Sequence, residues 1–276
     1  MLFGSTSLAA RIERAECRLL ADSAAAAARR RPGSSVFAMP LAGGIATFTS
    51  PGAPLNKVAG LGFGGPLDED ALAAVEHAFR ERGSPVQAEV ASLGDPSIGR
   101  TLTARGYLLQ GVENVLGRRL PMASSAPPSR LEITPSPLEE LALWLDVVVT
   151  GFASPDGQGV PSHESYPRDL LEGVVADMAT ADGFSRYLAR RDGVAVGGAT
   201  LRLFEGVAHL CGAATLPEHR RRGVQSALLA ARLEIAAATG CDVAVVVTQP
   251  GSKSQENVQR QGFDLLYTRA ILVRTL

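Results

Sequence analysis

The period of the apolar positions changes several times along the chain, and each change marks an element. Residues 5–30 carry Leu8, Ile12, Leu19 and Leu20 at helical spacing, continue through the alanines 24–28, and stop at Pro32-Gly33. Three short apolar stretches, 36–41, 45–48 and 57–63, are separated by Gly, Pro and Ser and predict a meander of strands. A helix over 68–82, a strand over 86–91, a short helix over 96–105 and a long strand over 107–118 complete the first half. The following stretch, 121–129, has three prolines, small residues and no periodicity, which predicts a linker between domains at 1–120 and 130–276.

The second half predicts a strand at 131–134, a helix at 138–149, an irregular stretch at 151–167 and a helix at 169–178. Strands at 184–190 and 196–203 follow, joined by the turn Arg191-Asp192-Gly193. An apolar run at 207–216 predicts one further strand, ended by Pro217, which has no ladder donor. Beyond an arginine-rich turn, Val224, Leu228, Ala231 and Ile235 fall on one helical face, widened by Leu229 and Leu233, and Gly240 closes the helix. A strand at 243–247, a helix at 253–261 and a strand at 263–273 end the chain, so both halves mix helices with strands and the fold class is α/β (α+β).

The turn before the helix at Val224 is a candidate anion site. Its first-turn amides lack carbonyl partners, the helix dipole adds positive potential, and Arg220, Arg221 and Arg222 add full charges. Gly223 lets the backbone approach a phosphate with no side chain between them. The run Arg-Arg-Arg-Gly-Val-Gln at 220–225, behind a strand ending Thr-Leu-Pro-Glu-His, resembles the acyl-CoA pyrophosphate loop of the GNAT superfamily of N-acetyltransferases, Gln/Arg-x-x-Gly-x-Gly/Ala. Gln225 departs from that pattern, standing where it has a small residue. Val-Val-Val-Thr-Gln-Pro at 245–250 is similar to the family's fifth strand, and residues 255–263 to the helix and Gly-Phe that close its site.

The resemblance covers roughly 130–276 and implies acetyl transfer from acetyl-CoA, as co-substrate, to an amine of a small molecule or peptide. It implies contacts to the carrier from Ala213, Ala214, Thr215 and Leu216, from Arg220, Arg221, Arg222, Gly223, Val224, Gln225 and Ser226, and from Ser254 and Asn257. The family often has a glutamate base six or eight residues before the strand's proline. Those positions are Cys211 and His209, expected on one strand face, and His209 is the candidate base, with a structural histidine as the alternative. The family's tyrosine acid falls at Val258, leaving Tyr166 or Tyr267 as substitutes or no acid at all. Phe152, Glu164 and Tyr166 are candidates for an acceptor pocket, with an ordinary surface loop as the alternative. A non-catalytic CoA-binding sensor of the same fold is the competing reading.

An internal echo sets the two halves apart in function. Gly106-Tyr107 and Gly262-Phe263 open corresponding strands at an offset of 156 residues (262 less 106), and the helix at 68–82 corresponds to that beginning at Val224. This predicts two GNAT-like mixed-sheet domains in tandem. Where the second has arginines and glycine, the first has Asp68, Glu69 and Asp70, which satisfy the helix dipole and repel phosphate, so the acyl-CoA site is expected in the C-terminal domain alone.

Composition narrows the partners. Lys+Arg 27 against Asp+Glu 28 gives no basic surplus for nucleic acid or an anionic membrane. Three cysteines, Cys17, Cys211 and Cys241, are widely spaced without interleaved histidines, so neither a disulfide framework nor a metal site is expected, and a reducing cytoplasm fits. No apolar run approaches the roughly 18 residues of a membrane span. Gly251-Ser252-Lys253-Ser254 lacks the upstream glycine and Gly-Lys pair of a nucleotide-binding loop.

Overall fold

A long helix opens the chain because its apolar face repeats at helical spacing and Ser5 caps it. In the computed structural model, which describes residues 1–120, 131–154, 160 and 166–275, this is α1 (Thr6–Arg30), with the Ser5 hydroxyl accepting from the amide of Leu8. The linker expected at 121–129 lies outside the described residues, as does Glu164.

The chain packs as two compact units, each described by itself. The first takes residues Met1–Leu116, Val247–Pro250 and those from Asp264 onward. Its sheet begins with β1 (Phe37–Leu41), β2 (Gly44–Phe48), β3 (Lys57–Ala59) and β4 (Val86–Ala91). β1, β2 and β3 pair antiparallel in turn, and β3 runs parallel to β4. The strand expected over 57–63 stops at Ala59 because Gly60 and Gly62 take φ of 77° and 91°, which no strand residue adopts. α2 (Glu69–Arg80) and α3 (Ser97–Ala104) supply Leu72, Val75, Phe79, Ile98 and Leu102 to a core that also holds Phe48, Val58, Tyr107 and Leu272. β5 (Leu108–Arg119) follows α3 in the chain.

The last strand of the chain, β12 (Asp264–Arg274), pairs antiparallel with β4, from Arg269 opposite Ala91 to Arg274 opposite Val86. It brings Arg269 against Glu13 of α1, 2.8 Å away with both side chains 1% exposed. The Tyr267 hydroxyl donates to the same carboxylate at 2.7 Å.

The second unit, Gly117–Val246 with Gly251–Phe263, is built on β6 (Glu132–Pro135), β7 (Phe184–Arg191), β8 (Val194–Phe204), β9 (Val207–His209) and β11 (Val243–Thr248) in that spatial order, with the short β10 (Ala214–Thr215) on β8. The β7–β8 turn expected at 191–193 is tighter, a two-residue one with Arg191 paired to Val194 and Asp192 and Gly193 at φ of 53° and 80°. Helices α4 (Leu141–Ala153) and α6 (Val224–Ala238) both pack on β8, and two neighbouring glycines admit them. A Cβ on Gly197 would meet Val224 Cγ1 at 2.6 Å, and one on Gly198 would meet Val148 Cγ2 at 2.7 Å. Adjacent strand residues face opposite sides, so the sheet lies between these helices. α5 (Arg168–Ala179) joins α4, where Trp144, Val148, Val175 and Leu188 form a core, and α7 (Lys253–Arg260) follows β11.

Candidate active site

The centre of the second unit differs from the expectation of one strand over 207–216. β9 ends at His209 and pairing resumes only at Ala214, with Gly212 between them at φ 42°. The amide and hydroxyl of Thr200 donate to the Cys211 carbonyl at 3.2 and 3.0 Å, and Arg232 Nη1 of α6 adds a third bond at 3.3 Å. The Thr200–Cys211 bond keeps the register of Arg202 opposite His209, and the register shifts by one residue at 212–213, before Ala214 opposite Gly198, as in a bulge. Cys211 therefore keeps the ladder register of His209, two residues before it.

On the other side, β9 runs parallel to β11 only from Val207 opposite Val243 to His209 opposite Val245, with Leu210 N donating to Val245 O at 2.9 Å. β10 then pairs with β8 alone. Leu216 N donates to Val196 O at 3.1 Å, which in an alternating ladder turns Ala214 toward β8 and the amide and carbonyl of Thr215 away from it. His209 is buried at 5% exposure, in register with Arg202 and Val245. Ala213 is half-buried and Ala214 buried.

The arginine turn leads from β10 into α6. A single 3-10 turn, Pro217–His219, is followed by Arg221 at φ 60° and by Gly223, the N-cap of α6, at φ 79°. The first helical bond runs from Ala227 N to Gly223 O at 3.0 Å, so the amides of Val224, Gln225 and Ser226 precede the ladder. No side chain caps them and no acid stands in the first turn. Arg221, Arg222, Gly223, Gln225 and Ser226 are exposed, whereas Val224 is buried against β8. The turn is anchored by Arg191 at the β7–β8 hairpin, whose guanidinium donates to Arg222 O at 2.9 Å.

Arg220 is directed elsewhere. Its guanidinium donates to Gly151 O at 3.1 Å and to Ser154 O, satisfying carbonyls at the C-terminal end of α4. Its backbone belongs to the turn, but its charge serves that helix end. Asn257 of α7 donates from Nδ2 to Gln225 Oε1 at 3.3 Å, which brings these two together, and Ser254 is exposed on α7. Ser252 caps α7 by accepting from Gln255 N at 3.2 Å, so the Gly-Ser-Lys-Ser run has a local structural explanation.

Phe152, near the end of α4, stands beside the break: a Cβ on Gly212 would lie 3.9 Å from its Cζ. Tyr166 is half-buried just before α5, and Glu164 lies outside the described residues. Val258 is buried in α7. Tyr267 sits in the first unit, its hydroxyl on Glu13, and burial together with that carboxylate pushes its phenol well above the usual range. The corresponding helix start in the first unit, α2, is filled by its own residues. Asp68 accepts from Ala71 N at 2.7 Å, with Glu69 and Asp70 in the first turn. Among the described residues no cluster of His, Cys, Asp and Glu fits a metal ion, and no helix is long and apolar enough to cross a membrane.

Comparisons with known proteins match both this stretch of sequence and the fold. The family described as Acetyltransferase (GNAT) family matches residues 153–263. That stretch is a GNAT acetyltransferase domain. The fold is similar to that of a GCN5-related N-acetyltransferase from Kribbella flavida, with a TM-score of 0.62 and 18% identity over 93% of this chain and 94% of that one. A tandem GNAT protein from the clavulanic acid biosynthesis pathway gives 0.57 and 13% over 84% of this chain and 78% of that one. A GCN5-related N-acetyltransferase from Sphaerobacter thermophilus gives 0.55 and 15% over 74% of this chain and 66% of that one. A comparison with curated proteins finds no match. The mixed α/β architecture is thus that of GNAT-fold proteins over most of the chain. In the GNAT domain, one residue that the sequence reading passed over is Arg232, a buried arginine four residues after Leu228 on the apolar stripe of α6.

Proposed function

We propose that the GNAT domain transfers an acetyl group from acetyl-CoA to the amine of a small molecule or peptide. The observation that carries this reading is the uncapped start of α6. Gly223 supplies a left-handed N-cap without a side chain, three amides precede the ladder, and Arg221 and Arg222 flank them in solvent. These donors fit a diphosphate, each charge-assisted bond contributing about 1.5–3 kcal/mol. Gln225 and Asn257, bonded to each other, extend the same surface with Ser226 and Ser254, and Thr215 beside Ala213 offers strand backbone to the pantetheine arm, whereas Ala214 and Leu216 spend theirs on β8.

In the transfer itself the neutral amine attacks the thioester carbon, a C–N bond forms, the C–S bond breaks, and CoA leaves as thiolate while the amine gives up a proton. His209 is the proton acceptor in this reading, and Phe152 and Tyr166 border the acceptor. Calorimetry with acetyl-CoA tests the carrier site. Gly223→Glu places a carboxylate in the anion site and weakens binding about 100-fold or more, whereas unchanged affinity would refute the site. His209→Gln leaves acetyl-CoA affinity intact and lowers the turnover of a responsive amine by about 100-fold, as read by thiol release. Equal rates would assign His209 to structure.

A second reading, a CoA-binding sensor without chemistry, draws support from the missing acid: Val258 is buried and Tyr267 is engaged by Glu13. It predicts tight acetyl-CoA binding with no thiol release across an amine panel.

A further inference from the structure

Arg232 is an unusual resident of a helix core. It stands in the third turn of α6 at 3% exposure, and its guanidinium donates to carbonyls, those of Leu228 at 3.0 Å, Thr200 at 2.9 Å and Cys211 at 3.3 Å. Burial pushes its pKa down to about 10, so the charge survives at neutral pH, and the titratable groups that bear on it are Cys211 and Tyr187, not a carboxylate. Burying a cation in this way costs several kcal/mol, which carbonyl bonds offset only in part. A leucine or methionine would fill the same stripe without that cost.

The carbonyl it touches explains the placement. The Cys211 oxygen accepts from three donors, Thr200 N, Thr200 Oγ1 and Arg232 Nη1. The peptide joining Cys211 to Gly212 is planar and trans, so its N–H, on Gly212, points opposite to its carbonyl, away from β8 and toward the side on which β11 diverges. Electron density drawn onto the oxygen by a buried cation leaves that N–H more positive, the cooperative strengthening expected of linked hydrogen bonds in a low-dielectric setting. Gly212 at φ 42° turns the unit to this orientation, and Phe152 lies beside it.

We propose that Arg232 is a positioning residue for acyl transfer: through the Cys211 carbonyl it orients and polarises the Gly212 amide toward the carbonyl oxygen of the bound thioester. The inference rests on the acyl-CoA reading above. Negative charge grows on that oxygen as the amine attacks, and a pre-aimed donor stabilises it more than it stabilises the ground state. A charge held behind the peptide, rather than in the cleft, acts on the reacting carbonyl without adding a group that the amine must displace.

The test uses the full chain, acetyl-CoA labelled with 13C at the thioester carbonyl, and isotope-edited infrared spectroscopy, so no acceptor need be known. In the wild-type protein the bound carbonyl absorbs at lower frequency than in water. Arg232→Gln moves it back toward the aqueous value, Arg232→Lys moves it part of the way, and calorimetry finds acetyl-CoA affinity within about threefold, because the α6 start is untouched. Thr200→Val, which removes one of the three donors and keeps the volume, gives a smaller shift of the same sign and serves if the arginine variants do not fold. If wild-type protein binds acetyl-CoA but the variants leave the frequency unchanged, Arg232 is structural and the proposal fails. If wild-type protein does not bind acetyl-CoA, the acyl-CoA reading itself fails, a separate result.

Discussion

Individual residues in the first unit carry a titration that the sequence does not announce. Glu113 of β5 has its carboxyl pushed up to about 7, first by burial and then by Glu89 and Glu16, with Lys57 and Arg269 pulling the other way. Lys57 bonds Glu89 at 2.8 Å and Arg269 bonds Glu13 at 2.8 Å, so four glutamates share two cations. A carboxyl raised above its ordinary value of 4.5 holds its proton longer in the folded chain than in the unfolded one. The folded state therefore binds more protons between about pH 4.5 and 7, and stability falls as pH rises through that window. Glu113→Gln, which mimics the protonated form, should flatten this slope and leave the protein more stable than wild type at pH 8. Thermal melts across pH 4 to 8 would read it, and parallel slopes for the two proteins would overturn the assignment. Nothing in the spacing of Glu13, Glu16, Glu89 and Glu113 reveals the cluster, since they come from three elements whose meeting is a tertiary fact. The proposed anion site could be put forward from sequence for the opposite reason: Arg220 to Gln225 are contiguous, and a helix start needs no partner to present its amides. Even there the destination of Arg220 was hidden, because the carbonyls of Gly151 and Ser154 lie far upstream.

Among elements, the period of apolar residues located most helices and strands to within a few positions, and it failed where another element imposed a shape. The run 207–216 is largely apolar and reads as one strand, yet its register on β8 slips by one residue between Cys211 and Ala214, where Gly212 takes φ 42°. Arg232 itself left a trace, a cation on the buried stripe beside Leu228 and Leu233. The glycine pair 197–198 shows how closely the layers fit. Replacing Gly198 by Val would press on Val148 and on Trp144 Nε1, 3.2 Å from the added Cβ, and disturb the bond from that indole to Tyr187 O at 3.1 Å. Overpacking of this kind costs about 1–3 kcal/mol, so the variant should melt several degrees lower. It should also lose acceptor turnover more than acetyl-CoA affinity, since α4 carries Phe152 while α6 carries the carrier loop. A melting temperature equal to wild type would mean that α4 is not seated as described.

For the whole molecule, the sequence suggests an offset of 156 residues between the halves, but it does not reveal which strand receives the last one. β12 resembles the closing strand of the second half and was expected within 130–276, whereas it pairs with β4 and gives Arg269 and Tyr267 to the ion cluster on α1. Periodicity identifies a strand and says nothing of which edge receives it, because any strand offers the same backbone donors and acceptors. This has a consequence for dissection. A fragment of residues 130–276 would carry the arginine turn and α6, yet leave β12 without β4, with Arg269 removed from Glu13 and Leu272 from the first unit's core. An unpaired strand with a formerly buried arginine and apolar side chains favours aggregation. The fragment should therefore be poorly soluble or lack a cooperative melt, while co-expression with residues 1–120 should restore a soluble complex that binds acetyl-CoA. Circular dichroism melts and gel filtration would distinguish these outcomes. A monomeric fragment melting as cooperatively as the intact chain would show that β12 is dispensable to the first unit and finds its own partner in the second half.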